Sequence, residues 1–134
     1  MNTFPLKIVT PDGLLFEGEA EELIVRSVSG DLGILAGHIN CVAPLGMGLA
    51  TVVVEGKKRY AACIGGMVSV LNGQVDLVST TFEWADKIDV ARAAASEQRA
   101  KDILNNKSSS DTDLRLAEAR LRRALVRQSA ATYK

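Results

Sequence analysis

The chain has 134 residues, which gives room for one ordinary domain or for a small domain with an appendage. Hydrophobic residues make up 47% of it and aromatic residues only 4%, so its core must be mainly aliphatic. The 16 Lys and Arg residues balance the 16 Asp and Glu residues, and this zero net charge argues against a general nucleic-acid binder.

The charge is unevenly distributed along the chain. Residues 1–87 hold six Lys or Arg against ten Asp or Glu, whereas residues 88–134 hold ten Lys or Arg against six Asp or Glu. An acidic part followed by a basic part predicts two modules that face different partners.

The first residues and the two cysteines bear on the compartment. The N-terminal segment lacks the basic start and apolar run of a signal peptide, and no stretch approaches the roughly 18 apolar residues of a membrane span. Cys41 and Cys63 lie in apolar, strand-like sequence without metal-type spacing. We therefore expect two buried free thiols and a cytoplasmic chain that reaches a membrane only through a partner.

Residues 6–79 are a series of short β-type runs separated by turn signals. One run, residues 50–54, ends at Glu55-Gly56. Asn72-Gly73 between two apolar runs predicts a two-residue hairpin, because a type I′ turn needs a positive φ at both central residues. Many short strands at this spacing predict an all-β sandwich or barrel.

After Trp84 the composition changes to that of helices. Residues 88–104 are rich in Ala and contain no Gly or Pro. A polar break follows at residues 105–110, and acidic residues after Ser110 predict the start of a second helix. Two helices joined by a short loop form an antiparallel hairpin. Because its Ala-rich seam buries little area, at about 25 cal/mol per Å2, we expect a weakly held, mobile arm.

The predicted fold is therefore α+β, with a β domain over residues 1–86 and a helical hairpin over residues 87–134. No catalytic set is apparent, since the single histidine, His38, has no evident nucleophile or metal partner. The glycines of residues 30–37 lack the Lys-Ser/Thr of a phosphate loop and are better explained as turns. We expect a protein that is not an enzyme.

Basic side chains recur on one face of each predicted helix. The residues that share these faces are Asp89, Arg92, Ser96 and Arg99 on the first helix and Leu116, Arg120, Arg123 and Arg127 on the second. One interpretation is a solvated basic face. The other is an anion site between the helices, because the planar fork of Arg gives phosphate two charge-assisted hydrogen bonds.

Two segments carry a family resemblance. Residues 30–38, Gly-Asp-Leu-Gly-Ile-Leu-Ala-Gly-His, follow the strand opening Val-Thr-Pro-Asp-Gly of residues 9–13, and residues 88–93 read Ile-Asp-Val-Ala-Arg-Ala. The first segment is similar to a G-[DE]-[LM]-G-I-L-x-x-H motif, and the second matches the I-D-x-x-R-A pattern of subunits that bind ATP. Gly65-Gly66 and the Arg-rich residues 121–125 fit as well. Over essentially its whole length the chain resembles the epsilon subunits of bacterial F-type ATP synthases.

This resemblance implies an N-terminal β-sandwich of about ten strands followed by the two-helix domain. It implies a non-catalytic place on the central stalk, against the gamma subunit and the ring of c subunits, at the cytoplasmic face of the bacterial membrane. It also implies that the helical arm extends towards the alpha/beta head to inhibit ATP hydrolysis, or folds down on the sandwich. No cofactor is required, and ATP is the expected regulatory ligand.

The resemblance also implies roles for individual residues. The candidate ATP contacts are Glu83, Ile88, Asp89, Arg92, Ala93, Arg99, Arg123 and Arg127, of which the last two match after a shift of one residue across the interhelical loop. The candidate c-ring contacts are Asp31 and His38. The candidate contacts to an acidic stretch of the beta subunit are Arg115, Arg120 and Arg122, when the arm is extended. Arginines that serve two anions in turn would form a switch.

The residues alone are also compatible with a second interpretation of the function. A free-standing ligand-binding β domain with a dimerising helical hairpin would show the same strand runs, the same helices and the same split charge. Tight binding to a coiled coil of the gamma type is expected of the stalk subunit, whereas the free-standing domain would self-associate.

Overall fold

The computed structural model describes residues 2–133, which form an N-terminal β domain and a C-terminal pair of helices. The elements in chain order are β1 Phe4–Thr10, β2 Gly13–Ala20, β3 Glu22–Ser27, β4 Gly30–Leu35, β5 Cys41–Val54, β6 Lys57–Leu71, β7 Gln74–Trp84, a short 3-10 helix Ala85–Lys87, α1 Val90–Leu104 and α2 Asp111–Ala131.

Within residues 2–133 the seven strands are hydrogen-bonded in the order β2-β1-β7-β6-β5-β3-β4, and only the β1–β7 pair among them is parallel. The pairing of β5, β6 and β7 is interrupted at the same point along all three strands. The residues at this point are Gly46, Gly65 and Thr80, and none of them has a cross-strand partner in register. Strands β5, β6 and β7 continue through this point with 14, 15 and 11 residues. The expected sandwich is thus present, but with seven strands rather than about ten. The number is lower because each long strand that runs through both layers of the sandwich is counted once.

The β6–β7 turn and the core both follow from the sequence. Asn72 and Gly73 have φ of 50° and 84° and join β6 to β7 with Leu71 opposite Gln74, so the predicted two-residue hairpin is confirmed. The core between the layers is largely aliphatic; its largest fully buried side chains include Leu6, Ile8 and Leu23.

The cysteines differ in burial. Cys63 is buried on β6, but Cys41 is only half-buried, so the prediction of two buried thiols is wrong for Cys41. The reason is its position as the first residue of β5, next to the half-buried His38, whose Nδ1 lies 4.0 Å from the Cys41 sulfur.

The helices form the predicted antiparallel hairpin. Helix α1 ends at Leu104, and Ser110 caps α2 by accepting a hydrogen bond from the backbone N–H of Asp113 at 3.1 Å. The buried residues in the body of the hairpin are alanines: Ala93 and Ala100 on α1, Ala117 and Ala124 on α2. The seam is therefore poor in large side chains, as predicted.

The hairpin is folded down on the sandwich through the end of α2. Ala130 and Ala131 pack with Ile88 and with Ala62 of β6. The ring of Tyr133 stacks on that of Tyr60, with centroids 4.7 Å apart. Within the described part of the chain, neither helix has the length and apolar character needed to cross a membrane.

Candidate functional site

A cavity of about 730 Å3 lies between the two helices and the edge of the sandwich. Strands β1 and β7 supply Thr10 and residues 80–83, and the β1–β2 turn supplies Asp12. The helical walls consist of Asp89, Arg92, Ala93, Ser96 and Arg99 from the α1 side and of Arg120, Arg123 and Arg127 from α2, with Lys87 at the junction. The site thus joins both modules.

The start of α1 is set by Asp89. Its side chain accepts a hydrogen bond from the backbone N–H of Arg92 at 3.0 Å, as an N-cap does. The cap places Arg92 in the first turn of α1, and Arg99 follows seven residues later on the same face. On α2, Arg120, Arg123 and Arg127 are three and four residues apart, so they form one stripe.

The cavity is strongly cationic. Six of its lining residues are Lys or Arg and three are Asp or Glu. Arg127 is paired with Glu83, its Nε lying 2.5 Å from a carboxylate oxygen. The other five basic residues form no salt bridge within residues 2–133: Lys87, Arg92, Arg99, Arg120 and Arg123. Fixed cations without counter-charge attract an anion.

The structure brings together seven of the eight residues singled out as ATP contacts. Ile88 is the exception, since it does not line the cavity and is buried at 6% exposure against Ala62 and the end of α2. Asp89 lines the cavity, but its carboxylate already caps α1.

The three arginines assigned to an acidic partner do not share one surface. Arg115 and Arg122 are exposed and lie outside the cavity, whereas Arg120 lines its wall with Arg123. Arg122 and Arg123 are neighbours in sequence, yet only Arg123 faces the cavity, because successive residues of a helix point about 100° apart.

Asp31 and His38 lie near opposite ends of β4. Asp31 is paired with Arg26 at 3.4 Å, with both side chains more than half exposed. His38 follows the strand, and its Nδ1 lies 2.8 Å from the carbonyl oxygen of Ile39. Asp31 is exposed and His38 is half-buried, and the two residues do not form one cluster.

Sequence reasoning missed the sandwich side of the cavity. Thr10, Asp12, Thr80 and Thr81 line it from elements far apart in the chain, and Lys87 lines it from just before α1. Only Lys87 carried a local signal, its position next to Ile88. No group of three His, Cys, Asp or Glu side chains suited to a metal ion occurs in the described residues.

A second surface lies on the outer face of the sheet. Five residues in register across five strands form an apolar row: Leu14, Val9, Val78, Met67 and Pro44. Leu14, Val78 and Met67 are 56%, 55% and 48% exposed. An apolar row with three such exposed side chains is a candidate contact surface for another protein.

Comparison with known proteins covers both modules. Residues 3–85 match the family model "ATP synthase, Delta/Epsilon chain, beta-sandwich domain", and residues 86–132 match "ATP synthase, Delta/Epsilon chain, long alpha-helix domain". The chain is 45% identical over 131 residues to the ATP synthase epsilon chain of Bacillus velezensis, covering 98% of each. It is 40% identical over 135 residues to that of Ruminococcus albus, covering 100% of each.

Solved structures show the same fold. A chain of the Euglena gracilis mitochondrial ATP synthase, in a structure described as OSCP/F1/c-ring, superposes with a TM-score of 0.83 at 24% identity, covering 98% of this chain and 82% of that one. A chain of the Tetrahymena thermophila mitochondrial ATP synthase central stalk and c-ring gives 0.62 at 12% identity, covering 95% of each.

Proposed function

This chain belongs to the ATP synthase delta/epsilon chain family, and we propose that its helical arm is a nucleotide-sensitive brake on ATP hydrolysis. As an epsilon-type subunit of the central stalk, the chain is non-catalytic and takes part in ATP synthesis through the complex. ATP acts on it as a regulatory ligand, and no cofactor is required.

The cationic cavity between the helices and the sandwich is the observation that carries this proposal. Its volume of about 730 Å3 lies within the usual range for small-molecule sites, roughly 300–1,000 Å3. Basic residues from both helices face it, while Glu83 and Thr81 face it from β7. An anion held by both helices and by the sandwich keeps the arm in its folded position.

The arm is suited to a ligand-controlled equilibrium. The buried residues in the body of the hairpin are alanines, each of which buries little area. A ligand that binds only the folded arm stabilises it by RT ln(1 + [L]/Kd), which is about 2.7 kcal/mol at a hundredfold excess over Kd. Loss of ATP removes this contribution and releases the arm.

The released arm presents basic residues to the catalytic head. Arg115, Arg120 and Arg122 are all exposed in the folded arm, and release of the nucleotide frees Arg120 for a second anion. An acidic stretch of the beta subunit would attract these side chains, and opposite charges fix the register of docking. The same helix thus meets ATP when folded and the head when extended.

The sandwich supplies the remaining partners. The apolar row from Leu14 to Pro44 is the proposed surface for the gamma subunit, because burial of apolar area drives stable association. Asp31 and His38 are proposed to face the polar loops of the c ring. The chain is then peripheral, at the cytoplasmic face of the cell membrane, and reaches the bilayer through the complex.

Braking is tested by ATP hydrolysis. The cognate alpha/beta/gamma head is assayed with the full chain and with a chain that lacks residues 88–134, which retains the apolar row. We expect the full chain to slow hydrolysis and the shortened chain to bind without slowing it. Equal rates with both chains would contradict the brake, and self-association of the full chain without binding to the head would favour the free-standing domain.

Nucleotide binding is tested on the isolated chain. Trp84 is the single tryptophan and ends β7 beside the arm, so ATP should change its fluorescence saturably. We expect Arg92→Ala to raise Kd about 10- to 150-fold, since a charged hydrogen bond contributes roughly 1.5–3 kcal/mol. Arg99→Ala should act in the same direction, and Arg122→Ala should do less than Arg123→Ala. If calorimetry gave the same ATP affinity for Arg92→Ala as for the unmodified chain, the proposed nucleotide site would be wrong.

A further inference from the structure

The cavity has two chemically different ends. Helix α1 begins beside the sandwich and α2 ends there, whereas the opposite ends of both helices meet at the interhelical loop. Arg99 lies seven residues beyond Arg92 on α1, and Arg120 lies seven residues before Arg127 on α2, which is roughly 10 Å along each axis. Arg99 and Arg120, which both line the cavity, therefore lie towards its loop end.

All the carboxylates of the cavity are at its sandwich end. Glu83 is on β7, Asp12 is on the β1–β2 turn, and Asp89 precedes α1. Glu83 already neutralises Arg127 at this end. The residues that line the loop end include no acid, and neither Arg99 nor Arg120 has a salt-bridge partner in the described part of the chain. The positive potential is therefore concentrated between Arg99, Arg120 and Arg123.

We infer that Arg120 is a phosphate ligand, paired with Arg99, and that a nucleotide binds with its terminal phosphate towards the interhelical loop. This inference rests on the nucleotide site proposed above and adds to it both a residue and an orientation. The terminal phosphate carries the highest negative charge of a nucleoside triphosphate, so the acid-free end stabilises it most. The hydroxyl and carboxylate groups of Thr10, Asp12 and Thr80 then face the sugar, to which they offer hydrogen bonds.

The orientation makes the contribution of Arg120 depend on the length of the phosphate chain. A triphosphate reaches the loop end, whereas a monophosphate at the same sugar position stops short of it. Removal of the Arg120 guanidinium should therefore weaken ATP binding by roughly 10- to 150-fold, as for other charged hydrogen bonds to phosphate. AMP binding should change little, so the preference for ATP over AMP falls by nearly the same factor.

The test is calorimetric titration of the full chain with ATP, AMP and inorganic tripolyphosphate. Arg120→Ala is compared with Lys107→Ala, which removes a cation from the exposed interhelical loop outside the cavity. Alanine favours helix at an exposed position, and circular dichroism verifies that Arg120→Ala remains folded. Arg120→Lys keeps the charge without the planar fork and should recover part of the affinity.

The outcomes separate this inference from the proposed function. Weaker ATP and tripolyphosphate binding by Arg120→Ala, with unchanged AMP binding and an unaffected Lys107→Ala variant, supports both the residue and the orientation. Equal affinity of Arg120→Ala and the unmodified chain for ATP overturns the inference and leaves the nucleotide site in place. An equal loss for ATP and AMP overturns the orientation. A full chain that binds neither ATP nor tripolyphosphate overturns both.

Discussion

Arg127 on α2 donates a hydrogen bond through Nε to the carboxylate of Glu83 on β7, and the two atoms lie 2.5 Å apart although 44 residues separate the pair in sequence. The side chains are 27% and 33% exposed, so water screens their attraction only in part. This ion pair joins the arm to the sandwich next to the packing of Ile88 with Ala130 and Ala131.

Substitution of Glu83 by Gln should loosen the folded arm in the absence of nucleotide. Gln keeps the size of Glu but loses the charge, and a partly exposed ion pair contributes about 1 kcal/mol or less, which corresponds to at most a roughly fivefold rise in the released population. Amide hydrogen exchange of α2 measures this change. Glu17→Gln, which breaks the exposed Lys7–Glu17 pair within the sandwich, is the control. If α2 exchanged at the same rate in both variants, the ion pair would have no role in holding the arm.

Gly66 should tolerate no side chain. It has a φ of +118°, and a Cβ there would overlap the carbonyl oxygen of Val78 and lie 2.7 Å from the Cα of Ser79. Gly66→Ala must therefore displace β7 from β6, with an expected loss of more than about 3 kcal/mol of stability. Gly65→Ala is the matched control, since its φ is +73° but its Cβ would approach only Thr80, at 3.5 Å.

The control isolates backbone strain from overlap. Gly65→Ala should lose about 1–2 kcal/mol, the approximate difference for an L-residue in the left-handed region. Urea unfolding of both variants gives the two values. Equal losses would mean that strain alone accounts for Gly66, and that the strands β6 and β7 have room to separate.

The two thiols should differ in reactivity. Burial raises the pKa of the Cys63 thiol, and its contact with the Ser79 hydroxyl offsets only part of this rise. Cys41 is half-buried at the start of β5. Because the thiolate is the reactive form, an alkylating reagent near neutral pH should label Cys41 first and Cys63 only on unfolding. Mass spectrometry of native and urea-unfolded chain checks this, and rapid native labelling of Cys63 would contradict it.

The raised pKa of Cys63 also predicts how the stability of the fold changes with pH. The folded chain keeps the thiol proton to higher pH than the unfolded chain does, so above the ordinary thiol pKa the unfolded state gains relative stability as pH rises. Denaturation midpoints of the unmodified chain should therefore fall in alkaline solution more than those of Cys63→Ser. If the denaturation midpoints of the two chains fell equally with rising pH, a group other than Cys63 would control the loss of stability in alkaline solution.

The β domain should fold without the arm. Its main core is formed entirely by residues between Phe4 and Trp84, while the arm covers mainly Ala62 and Leu49. A fragment of residues 1–86 should give a β-type circular dichroism spectrum and unfold cooperatively. A spectrum of a disordered chain would mean that the arm supplies part of the core.

Most of the local structure could be predicted because its causes are local. The Asn72-Gly73 turn and the Ser110 cap each depend on residues within a few positions, and the Ala-rich hairpin seam follows from helical spacing. The basic faces of α1 and α2 follow from that spacing too, so Arg92 and Arg99 on α1 and Arg120, Arg123 and Arg127 on α2 could be named in advance. The motifs of residues 30–38 and 88–93 identified the family for the same reason.

Only the tertiary structure decided how these parts meet. Strands β5, β6 and β7 each run through both layers of the sandwich. Their length depends on the pairing register across the whole sheet, which no short segment of sequence specifies. Helical spacing places Arg120 on one face with Arg123 and Arg127, but the rotation of α2 against the sandwich decides that this face lines the cavity while Arg115 and Arg122 lie outside it. The approach of Glu83 to Arg127, and of Thr10 and Asp12 to both helices, requires packing between distant segments. Sequence spacing determines which face of an element a side chain occupies, whereas burial of apolar area across the whole chain determines what that face meets.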